Sequence, residues 1–191
     1  MSHSKKKEAW EYCEKGDILA IHRRKFGLPY SHFAVYIGKG RVIHYAAESG
    51  DFGEAITGKS SIFIHKAEFS DFLDGLEQYD ILVFPDKYIR PERKIVNLKD
   101  GTVTNEKLPS KAIDMFSNFF NENPDYHLYS PEETVERAKQ KVGETAYNLV
   151  TNNCENFAIW CKTGISNSRQ VEDFKKLMLT GILANAINSI R

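Results

Sequence analysis

Tyr30-Ser31-His32-Phe33-Ala34-Val35-Tyr36-Ile37-Gly38-Lys39-Gly40-Arg41-Val42-Ile43-His44-Tyr45-Ala46 is the stretch from which the fold is read. His32–Ile37 is dense in β-branched and aromatic residues and reads as a strand. Gly38-Lys39-Gly40 reads as a tight turn, and Arg41–Ala46 as a second strand hairpinned to the first. A hairpin centred between Gly38 and Lys39 sets residue 32 opposite residues 44 to 46. His32 and His44 are then cross-strand neighbours on one face. In that position one imidazole can deprotonate a nucleophile while the other fixes its tautomer and orientation.

Working outward, Gly16-Asp17 is a turn signal ahead of a strand at Ile18–Arg23, and Lys25–Tyr30, with Gly27 and Pro29, reads as a loop. Beyond the hairpin, Glu48–Ser60 carries three glycines and few apolar residues, as a loop does. Ser61–Lys66 and Asp80–Phe84 read as strands, with a short helical turn at Glu68–Leu73. Charges crowd Pro85–Pro109, where a small hairpin, Lys94–Leu98 turning at Asp100-Gly101, fits the pattern. Ser110–Asn121 has helical apolar spacing. Pro131–Val142 reads as a helix with Ser130 as N-cap, Pro131 in its first turn, and Gly143 as its stop. Tyr147–Thr151 reads as extended, Cys154–Lys162 as a helix closed near Gly164, and Val171–Ile190 as a last helical stretch. Strands and helices in this order describe an α+β protein with an antiparallel sheet packed against helices.

The chain has 191 residues, enough for one domain, and its 26 Lys and Arg balance 26 Asp and Glu. Such a balance points to no nucleic-acid partner. Three cysteines, Cys13, Cys154 and Cys161, form no Cys-x-x-Cys pair. That argues against a disulfide framework and a zinc site, and for a reducing, cytoplasmic setting with no metal or cofactor. Met1–Lys7 is polar and basic with no apolar segment behind it, unlike a secretory signal. No stretch has the roughly 18 apolar residues of a membrane span.

Asn152-Asn153-Cys154-Glu155-Asn156-Phe157 holds the candidate nucleophile. A cysteine opening a helix meets free N–H groups and the positive end of the macrodipole, both of which favour the thiolate. A lone cysteine is otherwise a small core residue, and Cys13 and Cys161 are read that way. His3, His22, His65 and His127 lack a companion pattern and read as surface or packing residues. The basic run Lys87–Lys94 reads as a solvated loop.

Gly16-Asp17, Tyr30-x-His32-Phe33-Ala34-Val35-Tyr36-Ile37-Gly38, Val42-Ile43-His44 and Asn153-Cys154-Glu155-Asn156-Phe157 together resemble lecithin:retinol acyltransferase-like domains, and most of all the H-Ras-like suppressor phospholipase A/acyltransferases. Glu136-Arg137-Ala138, Tyr147-Asn148-Leu149 and Ser168-Arg169-Gln170-Val171 extend the likeness, which covers residues 15–66 and 130–172. The resemblance implies a circularly permuted papain-like (NlpC-type) fold in which both histidines precede the cysteine. It implies Cys154 as nucleophile, His32 as base, His44 as the orienting group, and Tyr30 near the oxyanion. It implies acyl transfer from a glycerophospholipid through a thioester to water, an amine or a lysophospholipid.

On that reading residues 1–14 are a flexible lead, 15–172 the catalytic domain with an unaligned insertion around 85–129, and 173–191 an amphipathic C-terminal helix. Such a helix suits a peripheral membrane surface or packing on the domain. The chain departs from the family at Asn156, where members usually carry His. Two rival classes share the signatures: an inactive interaction protein like some picornavirus proteins, and a peptidase or amidase of the related fold.

Overall fold

Three consecutive residues have positive φ, Gly38 at 93°, Lys39 at 55° and Gly40 at 68°, and the last two close the central hairpin as a primed turn whose twist matches that of the strands. In the computed structural model, which describes residues 7–25, 28–47, 61–84, 92–107, 126–145 and 154–165, that hairpin is the middle of one antiparallel sheet. Its strands are β1 (Ile18–Lys25), β2 (Leu28–Gly38), β3 (Arg41–Ala47), β4 (Ile62–Glu68), β5 (Gln78–Val83), β6 (Glu92–Asn97) and β7 (Thr102–Lys107). They lie in the order β4-β3-β2-β1-β5-β6-β7. The helices are α1 (Phe69–Leu73), α2 (Pro131–Gln140) and α3 (Cys154–Thr163), preceded by a short 3-10 helix at Ala9–Tyr12. The α+β architecture expected from the sequence is therefore present.

Both faces of the sheet centre are covered, which is why Ile18-Leu19-Ala20-Ile21 reads as an unbroken apolar run and not an alternation. Ile18, Ala20, Phe33, Val35 and Ile43 pack with α2 and α3 through Val135, Ala138, Phe157 and Ala158. The alternate residues Leu19, Ile21, Ala34, Tyr36 and Val42 pack with Phe69 and Phe72 of α1 and with Tyr79. The register Ala34↔His44, Val35↔Ile43, Tyr36↔Val42 shifts by a bulge before Gly38↔Arg41. Continued past its last pair it sets Ala46 opposite His32, within the expected window.

Helix α2 carries the full capping box expected of its start: Glu133 N–H donates to Ser130 Oγ at 3.3 Å, and Ser130 N–H donates to Glu133 Oε2 at 2.9 Å. The chain leaves it through Gly143 at φ 93°.

Several boundaries move. Lys25–Tyr30, read as a loop, is partly strand: β2 begins at Leu28 and pairs back through Lys25↔Leu28 and Arg24↔Pro29. A proline is tolerated there because that part of β2 pairs with β1 alone, β3 joining only from Ala34. The small hairpin expected at Lys94–Leu98 with its turn at Asp100-Gly101 is present as β6 and β7, which are longer than read and extend the sheet. In the lead segment, Ala9, Trp10 and Cys13 pack against the second cluster. The readings of 48–60 as a loop, 110–121 and 171–190 as helices, and 147–151 as extended fall outside the described residues.

Gly16, at φ 88°, is held against α2, where an added Cβ would lie 2.5 Å from Pro131 Cα. Gly143 is equally left-handed at φ 93° but faces open space. Gly143→Ala should cost about 1–2 kcal/mol from backbone strain, and Gly16→Ala about 2 kcal/mol more, because α2 must shift away. Urea denaturation of the two variants measures the difference; equal losses would mean that the contact with Pro131 carries no energy.

Candidate active site

His32 and His44 leave adjacent strands on the face lined by Phe72, with ring-centroid distances to that phenyl of 5.7 and 6.0 Å. Their diagonal placement lets His32 Nε2 and His44 Nδ1 form a hydrogen bond of 3.0 Å. The structure thus brings together the two histidines singled out from the sequence.

It adds a third. His65 of β4 pairs with His44 across the β3–β4 ladder, and its Nε2 lies 3.2 Å from His44 Nε2. Its other ring nitrogen, Nδ1, donates to Phe63 O at 3.2 Å. Reading His65 as a surface or packing residue is corrected here. The signal lay in the spacing of β3 and β4, but the loop between them hides the register.

Burial is the main reason that the His32 pKa falls, to about 4, with the nearby Arg23 and His65 adding to it. His44 is lowered well below the ordinary histidine range by its own burial and then by His32, His65 and Arg23. Arg23 is fixed on this face by donating to Phe72 O at 3.1 Å and pairing with Asp74 at 3.0 Å. Both rings are therefore neutral near pH 7, the form in which an imidazole accepts a proton. Among the described residues, no cluster of His, Cys, Asp and Glu has the geometry to hold a metal. The ring nitrogens face one another in pairs and do not converge on a common point.

Cys154 is the first residue of α3, where the sequence analysis places it. It is half-buried and packs against the cluster on the α2–α3 face of the sheet, whereas the imidazoles meet Phe72 on the other. Residues 146–153, which lead into it, lie outside the described residues. The other two thiols differ in kind. Cys161 is fully buried and its pKa is pushed up strongly by burial. That of Cys13 is pushed up to about 12 by burial, beside Tyr79 Oη at 3.3 Å. Tyr30 occupies β2 opposite Arg23. Asn156 is buried one turn into α3.

A second polar chain was missed from sequence. His22 Nδ1 lies 2.9 Å from Ser31 Oγ, its register partner, and its Nε2 lies 2.8 Å from Asp80 Oδ2. Asp80 is fully buried and also pairs with Arg93 at 2.9 Å, which in turn binds Glu106 at 2.6 Å. The chain pairs one oxygen of a buried carboxylate, Oδ2, while Oδ1 has no hydrogen-bond partner among the described residues.

Sheet order and the paired strand histidines define an α+β domain organised around adjacent imidazoles. The family model for lecithin retinol acyltransferase matches residues 11–167, and the chain belongs to that family. Phospholipase A and acyltransferase 2 from Homo sapiens is 30% identical over 157 residues, covering 82% of this chain and 74% of the human protein. Phospholipase A and acyltransferase 3 from Homo sapiens is 28% identical over 159 residues, or 83% and 75%. Lecithin retinol acyltransferase from Rattus norvegicus is 27% identical over 160 residues, 84% of this chain and 58% of the rat protein, so this chain spans less than two thirds of that relative.

Because burial lowers both folded-state pKa values beneath those of the unfolded chain, the unfolded state binds more protons as pH falls below about 6.5. Stability from these rings is complete above that pH and is lost on acidification, for His32 down to about pH 4. Each histidine should contribute a slope approaching about 1.4 kcal/mol per pH unit inside that window. Denaturant titrations between pH 4.5 and 6.5 should show a shallower dependence in the His32→Gln/His44→Gln double variant; an unchanged slope would mean that the buried pair is not the source.

Proposed function

We propose that this chain is a thiol-dependent phospholipase A/acyltransferase. Cys154 attacks a glycerophospholipid ester, the acyl group rests on its sulfur as a thioester, and water, an amine or a lysophospholipid then accepts it. His32 is the base and His44 its orienting partner, with Tyr30 near the developing oxyanion and the N–H groups opening α3 as further donors. The observation that carries this reading is the His32–His44 hydrogen bond of 3.0 Å between a half-buried and a buried ring, both kept neutral. Membership in a family whose members are named as acyltransferases supports it.

The route between thiol and base follows from the sheet. The β2–β3 ladder ends at Ala34↔His44, although β2 starts at Leu28 and β3 runs on to Ala47. The strands part at the level of His32, and α3 packs across both through the first cluster. On our reading the Cys154 thiol reaches His32 through this parting, in a circularly permuted papain-like (NlpC-type) arrangement. The chain works in a reducing compartment at a membrane surface, with residues 173–191 as an amphipathic contact. Among the described residues, no helix is long and apolar enough to cross a membrane.

Intact-mass spectrometry after incubation with phosphatidylcholine tests the reading. The wild type should gain one acyl mass on Cys154, and Cys154→Ser should gain none as a hydroxylamine-labile thioester. His32→Gln should slow acylation by about 100- to 10,000-fold, while His44→Gln should leave more activity. A wild type that never acylates would favour a binding protein without turnover. Acylation that survives in Cys154→Ser at another residue would sink the nucleophile assignment.

A further inference from the structure

We propose that His65 is a positioning residue that closes a three-histidine relay, fixing the tautomer of His32 and receiving the proton charge that His32 takes up. The proposal rests on the reading of His32 as base, and deepens it.

The direction of the relay follows from one contact. Phe63 O can only accept, so His65 Nδ1, 3.2 Å away, carries a hydrogen. In a neutral ring the other nitrogen is then a lone pair, so His65 Nε2 accepts from His44 Nε2–H across 3.2 Å. His44 Nδ1 is in turn a lone pair and accepts from His32 Nε2–H across 3.0 Å. That leaves His32 Nδ1 as the basic atom. A backbone carbonyl two strands away therefore decides which nitrogen of His32 is available.

The same chain moves charge without leaving an ion in the core. When a thiol proton reaches His32 Nδ1, the Nε2 proton passes to His44 Nδ1. The proton on His44 Nε2 then passes to His65 Nε2. Each ring ends with as many protons as a neutral imidazole holds except His65, which keeps its Nδ1–H on Phe63 O and becomes the cation. Burial disfavours a cation on His32 and His44, and Arg23, facing both, disfavours it further. His65 is half-buried and lies farther along the row. The charged group that acts on both rings is Arg23, held by Asp74, and Lys94 lies on the same face beside Ile81 of β5.

Nitrogen-15 spectra of the histidine side chains in the full chain at pH 7.5 test this without any turnover. His65 should be the Nδ1–H tautomer, and His44 and His32 the Nε2–H tautomer. His65→Leu removes the terminal acceptor and should turn His32 into a tautomer mixture; His65→Asn, whose amide oxygen still accepts, should restore the Nε2–H form. In acyl transfer, His65→Leu should lower kcat roughly 10- to 100-fold with KM little changed, as losing an outer-shell partner does. An Nε2–H tautomer for His65 in the wild type overturns the proposal, whether or not any variant folds. So does a His32 tautomer that ignores His65→Leu. If instead the tautomers are as stated but activity is indifferent to His32→Gln, the relay stands and the reading of His32 as base falls.

Discussion

The primed turn at Lys39–Gly40 governs the site because it allows only one register between β2 and β3. A slip of β3 by one residue against β2 would turn His44 to the α3 face and bring Ile43 or Tyr45 to its place beneath Phe72. Both faces are buried, so such a slip would strand that imidazole among Val35, Val135 and Phe157 without partners. It would also put Ile43 or Tyr45 where Arg23 now faces His44. The bulge between Tyr36 and Gly38 absorbs the mismatch between turn and ladder, and Gly40 N–H donates to Tyr36 Oη at 3.2 Å, tying the turn to the strand it closes. Trp10 of the 3-10 helix closes over Gly40, where a Cβ would meet its indole at 3.2 Å. The segment ahead of β1 thereby takes part in holding the hairpin.

Two polar arrangements are buried in the same sheet and obey opposite rules. The Asp80 chain is ionic: a carboxylate with no exposure is repaid by Arg93 and His22, and Arg93 by Glu106. Removing one partner of such a buried set typically costs about 3–5 kcal/mol, since the charge left behind has no solvent. His32 and His44, by contrast, are kept neutral by burial. A neutral imidazole can donate from one nitrogen and accept at the other, so His44, set between His32 and His65, costs little to bury while uncharged and a great deal when protonated. A site built this way suits a base that must not be occupied by a proton before substrate arrives. A carboxylate in place of His44 would hold His32 more strongly in its cationic form and raise its pKa.

Much of this was legible from residues close in sequence. The hairpin, the α2 cap at Ser130 and the start of α3 at Cys154 are local signals: a turn with two glycines, a Ser-Pro-Glu-Glu start, a polar stretch ahead of an apolar run. His32 and His44 were found together because twelve residues and one tight turn separate them. His65, His22 and Asp80 were not, because each meets its partner through a ladder whose register no local pattern sets. His44↔His65 joins residues 21 positions apart, and His22–Asp80 joins β1 to β5 across most of the domain. The β-strand at Pro29 was misread since proline argues against a strand wherever both edges are paired, and sequence does not tell which strands are half-paired. β6 and β7 were shortened because their charged residues, Arg93 and Glu106 among them, look like solvated loop until the buried Asp80 supplies a reason for them.

The three cysteines show how the fold assigns reactivity to residues of one type. Cys161 lies two turns along α3 from Cys154 and shares its helix face, yet it sits among apolar side chains that disfavour a thiolate. Cys13 meets Tyr79 Oη, a neutral hydroxyl whose own ionisation is disfavoured by burial, so that contact offers no cation to stabilise sulfur. Cys154 differs from both by position: at the first turn of a ten-residue helix the backbone N–H groups have no intrahelical acceptors. On the proposed mechanism their partial positive charge would act on a developing thiolate and, later, on the oxyanion of a tetrahedral intermediate. A base of low proton affinity then becomes sufficient, because stabilising the anion lowers the demand on the base. If His32 is the base, as proposed, the histidine row and the helix N-terminus would act together: His32 would need only to receive the proton and pass it along the row.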